Sequence, residues 1–229
     1  MAGGIILLAF LGGLVPALLW LFFWLLEDRC EPEPKRYIFF SFLGGMLMVP
    51  IALFFEQGAT TYFTGAALLF VWALIEEVLK FGAAYGIALR SRFFDEPLDA
   101  IVYLVTVALG FSAAENALFL WAPLHQGDIL RGIVTEDLRF IGATLLHTLA
   151  SATIGISLAL SFYERTSVRK AMALGGVILA ILLHGIFNFF ILKPGSSNAV
   201  LWVFLLVWFG IIALLLLVEK VKRPARDYC

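Results

Sequence analysis

Charge is scarce in this sequence. Asp, Glu, Lys and Arg make up only 14% of it, against about 25% in ordinary soluble domains. A chain so poor in charge cannot present the solvated surface of a water-soluble globule. Cysteine is nearly absent, with only Cys30 and Cys229. The charge pattern described below puts both on the reducing side of a membrane, so neither a disulfide nor a thiolate metal site is expected. No His-Glu-x-x-His metalloprotease helix occurs. Repeats, low-complexity segments and polar stretches long enough for a soluble domain are also missing.

What is present is apolar. Hydrophobic residues reach 62%, and they fall in long runs. Crossing a hydrocarbon core of roughly 30 Å takes about 20 mostly apolar residues in a helix. Seven runs qualify, at about 4–26, 37–55, 62–89, 98–121, 138–163, 171–192 and 198–219. These predict an all-α transmembrane bundle of about seven spans, forming a single membrane domain over residues 1–229. The first run has no basic residue before it and is read as a retained helix, not a cleaved signal. Glu31-Pro32-Glu33-Pro34 and Lys193-Pro194-Gly195 read as helix-ending turns.

Basic residues gather at Arg29/Lys35/Arg36, Arg90/Arg92, Arg165/Arg169/Lys170 and Lys220/Lys222/Arg223/Arg226. With seven spans all four groups share one side. Only Arg131, Arg139 and Lys193 fall on the other. The positive-inside rule then places the N-terminus outside and the C-terminus in the cytoplasm. Lipid is the expected surrounding, and no nucleic-acid partner is expected.

Several polar residues interrupt the apolar runs. The third run holds Glu76, Glu77 and Lys80, and the fourth holds Phe111, Glu115 and Asn116. The fifth holds His147 and Ser151, and the sixth His184 and Asn188. A charge at a helix centre costs about 2.5–3.5 kcal/mol on insertion scales. Glu76, Glu77, Lys80 and Glu115 left bare in lipid would cost on the order of 10 kcal/mol. That rivals a whole fold's stability of about 5–15 kcal/mol. They must face one another or a water-filled cavity. Glu76/Lys80, His147/Ser151 and His184/Asn188 are each i, i+4 pairs, so each pair shares a helix face. At about 1.5 Å per residue, Glu76, Glu115, His147 and His184 lie roughly 21, 24, 25 and 21 Å from the basic side. Four helices of alternating direction thus bring a polar group to one level, in the outer half of the bilayer. Gly82/Gly86 and Gly110/Ala113/Ala114 are small residues that would let helices approach closely there. His125 reads as a surface residue in a polar loop.

The chemistry of such a set has two versions. His147, His184 and one of Glu115 or Glu76 can hold a metal such as zinc, with an open water position. Of the two carboxylates, Glu115 is taken here as the third ligand. The other carboxylate would then serve as general base. Without a metal, Glu76 or Glu77 would activate water directly. The histidines would then polarise the carbonyl or protonate the leaving amine. In both versions Asn188 and Asn116 can stabilise an oxyanion.

The order Glu76-Glu77-x-x-Lys80, Phe111-x-x-x-Glu115-Asn116, His147-x-x-x-Ser151 and His184-x-x-x-Asn188 resembles the PrsW family of intramembrane proteases. That family is grouped with the CAAX prenyl endopeptidases and the bacterial self-immunity membrane proteins. The resemblance covers about residues 60–195, the expected catalytic core. It implies an endopeptidase of a prokaryotic plasma membrane. Its substrate would be a single-span membrane protein, such as an anti-sigma factor, cut near the extracytoplasmic side. It also implies that Glu76 and Glu77 are the leading catalytic carboxylates. His147, His184 and Glu115 would work beside them, with Asn188 as a supporting donor and Lys80 as an orienting partner. Three other readings compete: a non-catalytic membrane scaffold, a proton- or cation-coupled transporter, and a bis-histidine haem protein. Neither the oligomeric state nor a role for the first two and last helices follows from these residues.

Overall fold

The computed structural model describes residues 2–28, 31–192 and 197–222. Cys30, Cys229, Arg29, Arg223, Arg226 and the Lys193-Pro194-Gly195 turn lie outside them. Among the described residues there are only helices and their connections: α1 (Ala2–Glu27), α2 (Lys35–Ala59), α3 (Gly65–Ala84), α4 (Pro97–His125), α5 (Ile129–Leu138), α6 (Thr144–Leu160), α7 (Thr166–Leu192) and α8 (Ser197–Lys222). A π-turn, Tyr85–Leu89, prolongs α3, and another, Arg139–Ala143, fuses α5 to α6. Counted as continuous rods there are seven helices. Six are long and apolar enough to cross a membrane. The seventh, α3, carries Glu76, Glu77 and Lys80, and this charge keeps it outside that apolar class.

The boundaries follow local chemistry. Pro97 opens α4, and a capping box forms around it. Asp99 accepts hydrogen bonds from the Asp95 and Glu96 N–H groups at 2.9 and 2.8 Å, which satisfies donors that the first turn leaves free. At its far end α4 stops at Gly127, whose φ of +75° suits glycine. Asp128 then accepts from the Arg131 N–H at 3.0 Å and starts α5.

The centre of the bundle is α4 with α6. Within their most apolar windows, 89% of α4 and 83% of the α5–α6 rod are buried, against 22% for α1 and 28% for α7. Helices α1, α2 and α6 pack on α4, α7 packs on both α3 and α6, and α8 packs on α6. The peripheral helices turn broad apolar faces outward, as lipid requires.

Close helix contact rests on glycines other than some of those expected. Gly110 in α4 meets α2 so tightly that a Cβ there would sit 1.9 Å from the Phe42 carbonyl oxygen. Gly45 in α2 answers it, with a Cβ 2.0 Å from the Val107 carbonyl oxygen. By contrast, Gly82 and Gly86 are exposed, and a Cβ on either would touch nothing. The expectation that this pair carries close packing is therefore corrected. The inward face there is made instead by Ala83 and Ala84 of α3 and Ala88 of its π-turn.

Gly110→Ala should accordingly lower thermal stability in detergent, by about 1–3 kcal/mol for overpacking. Gly82→Ala should leave it unchanged or slightly raised, because alanine is the better helix former. Melting curves of the two variants check this directly.

Candidate active site

Four helices deliver one polar cluster. From α3 come Glu76, Glu77 and Lys80, all buried, and from α4 come Glu115 and Asn116. His147 of α6 and His184 of α7 are each 2% exposed. The two imidazoles meet edge to face with centroids 5.0 Å apart.

The pairing differs in detail from what the spacing suggests. Lys80 Nζ donates to Glu77 Oε1 at 2.6 Å, while Glu76 Oε2 is 4.0 Å away. The strong partner is thus the i, i+3 glutamate. Glu76 is left as the surplus carboxylate, and its Oε2 is buried without any hydrogen-bond partner. Lys80 also lies 3.0 Å from His147 Nδ1 and sits over the Phe111 ring at 4.9 Å. Phe111 thereby screens the ammonium on one side.

Each histidine has one nitrogen held by a carboxylate. His184 Nδ1 is 2.7 Å from Glu77 Oε1, and His147 Nε2 is 2.9 Å from Glu115 Oε2. Carboxylates are acceptors, so each of these nitrogens carries the proton and donates. The opposite nitrogens, His184 Nε2 and His147 Nδ1, face Glu76 Oε2 at 3.9 and 3.8 Å. Both rings are therefore oriented toward one carboxylate oxygen by two others.

The i, i+4 pair His147/Ser151 does not form. Both nitrogens of His147 are engaged elsewhere, and Ser151 Oγ is buried without a partner. Asn116 is fully buried and supports the cluster from behind. Its Nδ2 donates to Thr144 Oγ1 at 3.0 Å, and its Oδ1 accepts from Arg139 Nε at 2.5 Å. Asn188 lines the cavity one turn beyond His184. That cavity, about 760 Å³, touches Glu76, Glu115, His147 and His184. It extends to Gln57 and Thr60 at the C-terminal end of α2.

Two charged residues here were misplaced by the sequence. Arg139, counted above among the outer-side basic residues, belongs to the site: Nη2 lies 2.5 Å from Glu115 Oε2. The signal existed, since Arg139 falls inside the run 138–163 and an intramembrane charge needs a partner. Glu56, just past the end of the apolar run 37–55, is within α2 and lines the same cavity. The π-turn explains how Arg139 and His147 both reach Glu115. They are eight residues apart, which on a regular α-helix turns them about 80° from each other. A π-turn absorbs about one residue more than an α-turn, which cuts the offset to about 20°.

Comparison with known proteins gives the family. The model of the PrsW family intramembrane metalloproteases matches residues 33–216. The chain belongs to the PrsW family. It is 28% identical over 220 residues to Protease PrsW of Geobacillus kaustophilus, covering 93% of this chain and 92% of that one. To Protease PrsW of Oceanobacillus iheyensis it is 31% identical over 206 residues, covering 88% and 91%. To that of Bacillus subtilis it is 26% identical over 210 residues, covering 87% and 90%. No solved structure gives a significant match. The chain is an intramembrane protease, and the scaffold, transporter and haem readings give way to that.

The donor set suits the metal that a PrsW metalloprotease implies. Glu76, His147 and His184 each offer one ligand atom, all within 4.8 Å of one another. This is the three-ligand count of catalytic zinc sites. The unpartnered Glu76 Oε2 and the carboxylate behind each imidazole complete the pattern. Glu115, expected as the third ligand, stands instead behind His147 and against Arg139.

Arg139→Leu should lower cleavage of a membrane-anchored reporter by roughly tenfold or more, the usual effect of removing outer-shell support. Arg139→Lys should retain part of the activity, because the charge is kept while the fork to Glu115 and Asn116 is lost. Cleavage rates of both variants, normalised to folded protein, measure this.

Proposed function

We propose that the cavity of this PrsW-family protease hydrolyses a peptide bond of a single-span membrane protein, with Glu76, His147 and His184 as the water-activating centre. The observation that carries this reading is Glu76 Oε2. It is a buried carboxylate oxygen with no hydrogen-bond partner, faced by one nitrogen of each histidine at 3.9 and 3.8 Å. Leaving such an atom unpaired is costly unless a ligand uses it.

Glu76, His147 and His184 would hold the metal. When bound, a divalent ion such as zinc supplies Lewis acidity to water and to the scissile carbonyl. The chain's own residues do the rest. Glu77 and Glu115 accept the outer N–H of each imidazole, and so aim the inner nitrogens at Glu76. Lys80 and Arg139 neutralise those two carboxylates. Glu115, open to the cavity, takes the proton from water as the oxygen bonds to the carbonyl carbon. The C–N bond then breaks and the proton passes to the departing nitrogen. Asn188, on the cavity wall, is placed to hydrogen-bond the oxyanion.

Lys80 favours a second, metal-free version. Its ammonium lies 3.0 Å from His147 Nδ1 and 4.0 Å from Glu76 Oε2. A resident cation already serves that space, and Glu76 would then be the base itself. Cavity shape bears on where the cut falls. The cavity reaches the end of α2 opposite Lys35, the end that the charge bias makes extracytoplasmic. Cleavage near that face follows, in what family membership suggests is a bacterial plasma membrane. A membrane-anchored anti-sigma factor is the substrate example that the family resemblance supplies.

Glu76→Gln should reduce cleavage of a single-span reporter by at least about 10²-fold, the scale of acid–base and ligand losses. The variant should melt as the native protein does. Full activity in Glu76→Gln would remove this centre from the mechanism. Chelator separates the two versions: loss of activity restored by zinc selects the metal, and indifference to chelator selects Glu76 as base.

A further inference from the structure

A second polar cluster lies at the other end of the bundle, far from the catalytic residues. Helices α1 and α2 both pack on α4 and leave a groove of about 620 Å³ between them. Apolar side chains line it, among them Leu14, Leu18 and Leu25 of α1 and Ile38, Phe42 and Met46 of α2. At one end it meets Asp28, Glu33 and Lys35.

Asp28 is the unusual member. It is 2% exposed, and its Oδ1 is buried with no hydrogen-bond partner. Its Oδ2 accepts only a long bond from the Glu33 N–H, at 3.3 Å. Burial pushes its carboxyl up to about 7; the nearby acids Glu96 and Asp99 push the same way, and Lys222 opposes them only in part. Glu33 is already occupied, since it accepts the Tyr103 hydroxyl. Lys35 is exposed at the first residue of α2, where the helix N-terminus favours an anion. The groove therefore ends in a buried carboxylate oxygen with no hydrogen-bond partner among the described residues, beside a cation and a helix N-terminus.

Its length is also specific. From Leu25 to Leu14, and from Lys35 to Met46, the lining spans eleven residues on each helix, about 17 Å. One leaflet of a bilayer has about 15 Å of hydrocarbon. The groove is as deep as one acyl chain and no deeper.

We propose that this groove binds one phospholipid with a primary-amine headgroup, of the phosphatidylethanolamine class. An acyl chain fills the apolar channel, the ammonium donates to Asp28 Oδ1, and the phosphate sits at Lys35 and the N-terminus of α2. The lipid fills the space between α1 and α2, which the protein's own side chains leave open.

Native mass spectrometry of the delipidated full-length protein, back-titrated with dioleoyl lipids, tests this. Phosphatidylethanolamine should be retained about tenfold better than phosphatidylcholine, which has no N–H to donate, and than phosphatidylglycerol, which has no ammonium. Asp28→Asn should abolish the preference while the melting curve shows an intact fold. Leu18→Trp, which fills the channel, should lower occupancy by all three lipids. Equal retention of the three by the native protein would overturn the proposal. So would a preference that survives Asp28→Asn, or occupancy that survives Leu18→Trp.

Discussion

Lys80 and Glu77 meet at 2.6 Å in a place with no measurable exposure. Everything else in the buried polar cluster leans on that pair. Two bare charges at this depth would be intolerable, and pairing alone recovers only part of the desolvation cost. Further hydrogen bonds supply the remainder. Glu77 also accepts from His184, and Lys80 also reaches His147 and the ring of Phe111. In satisfying itself the ion pair therefore fixes the orientation of both imidazoles. A neutral pair of similar shape would fill the space without orienting either ring.

The site has an approximate twofold logic. Each histidine is backed by a glutamate, and each of those glutamates has a cation: Lys80 for Glu77, and Arg139 for Glu115. Glu76 stands between the two arms, with Lys80 at 4.0 Å as its nearest cation and no hydrogen bond to its Oε2. Three carboxylates of one residue type thus have different standing, set by their neighbours and not by their chemistry. This is the usual way an enzyme obtains distinct roles from identical side chains.

Much of this was legible in the sequence. Polar residues inside apolar runs are hard to mistake, and helical spacing alone brings Glu76, Glu115, His147 and His184 to one level. Partner choice was not legible. Spacing allows Lys80 to reach either glutamate, and only the approach of α6 and α7 decides between them. Arg139 was misread because its position near a helix end suited a loop charge. The π-turn that redirects it has no signature in a hydrophobicity pattern. Glu56 was lost to a boundary error of one helical turn. Gly82 and Gly86 show the converse failure, since a small-residue spacing is necessary for close packing but does not say which face is packed.

The π-turn at Arg139–Ala143 also bears on how insertions and deletions in this region should be read. A single residue gained or lost in a surface loop is usually silent. One residue lost here would restore regular helix and leave Arg139 within about 20° of His147, whereas one residue gained beside the π-turn would swing Arg139 by about 100°. After such a gain composition, hydropathy and span length would hardly change, yet Glu115 would lose its cation. In aligning relatives of this protein, a one-position loss between Leu138 and Thr144 is therefore compatible with the same wiring on a regular helix, while a one-position gain changes which side chains face Glu115.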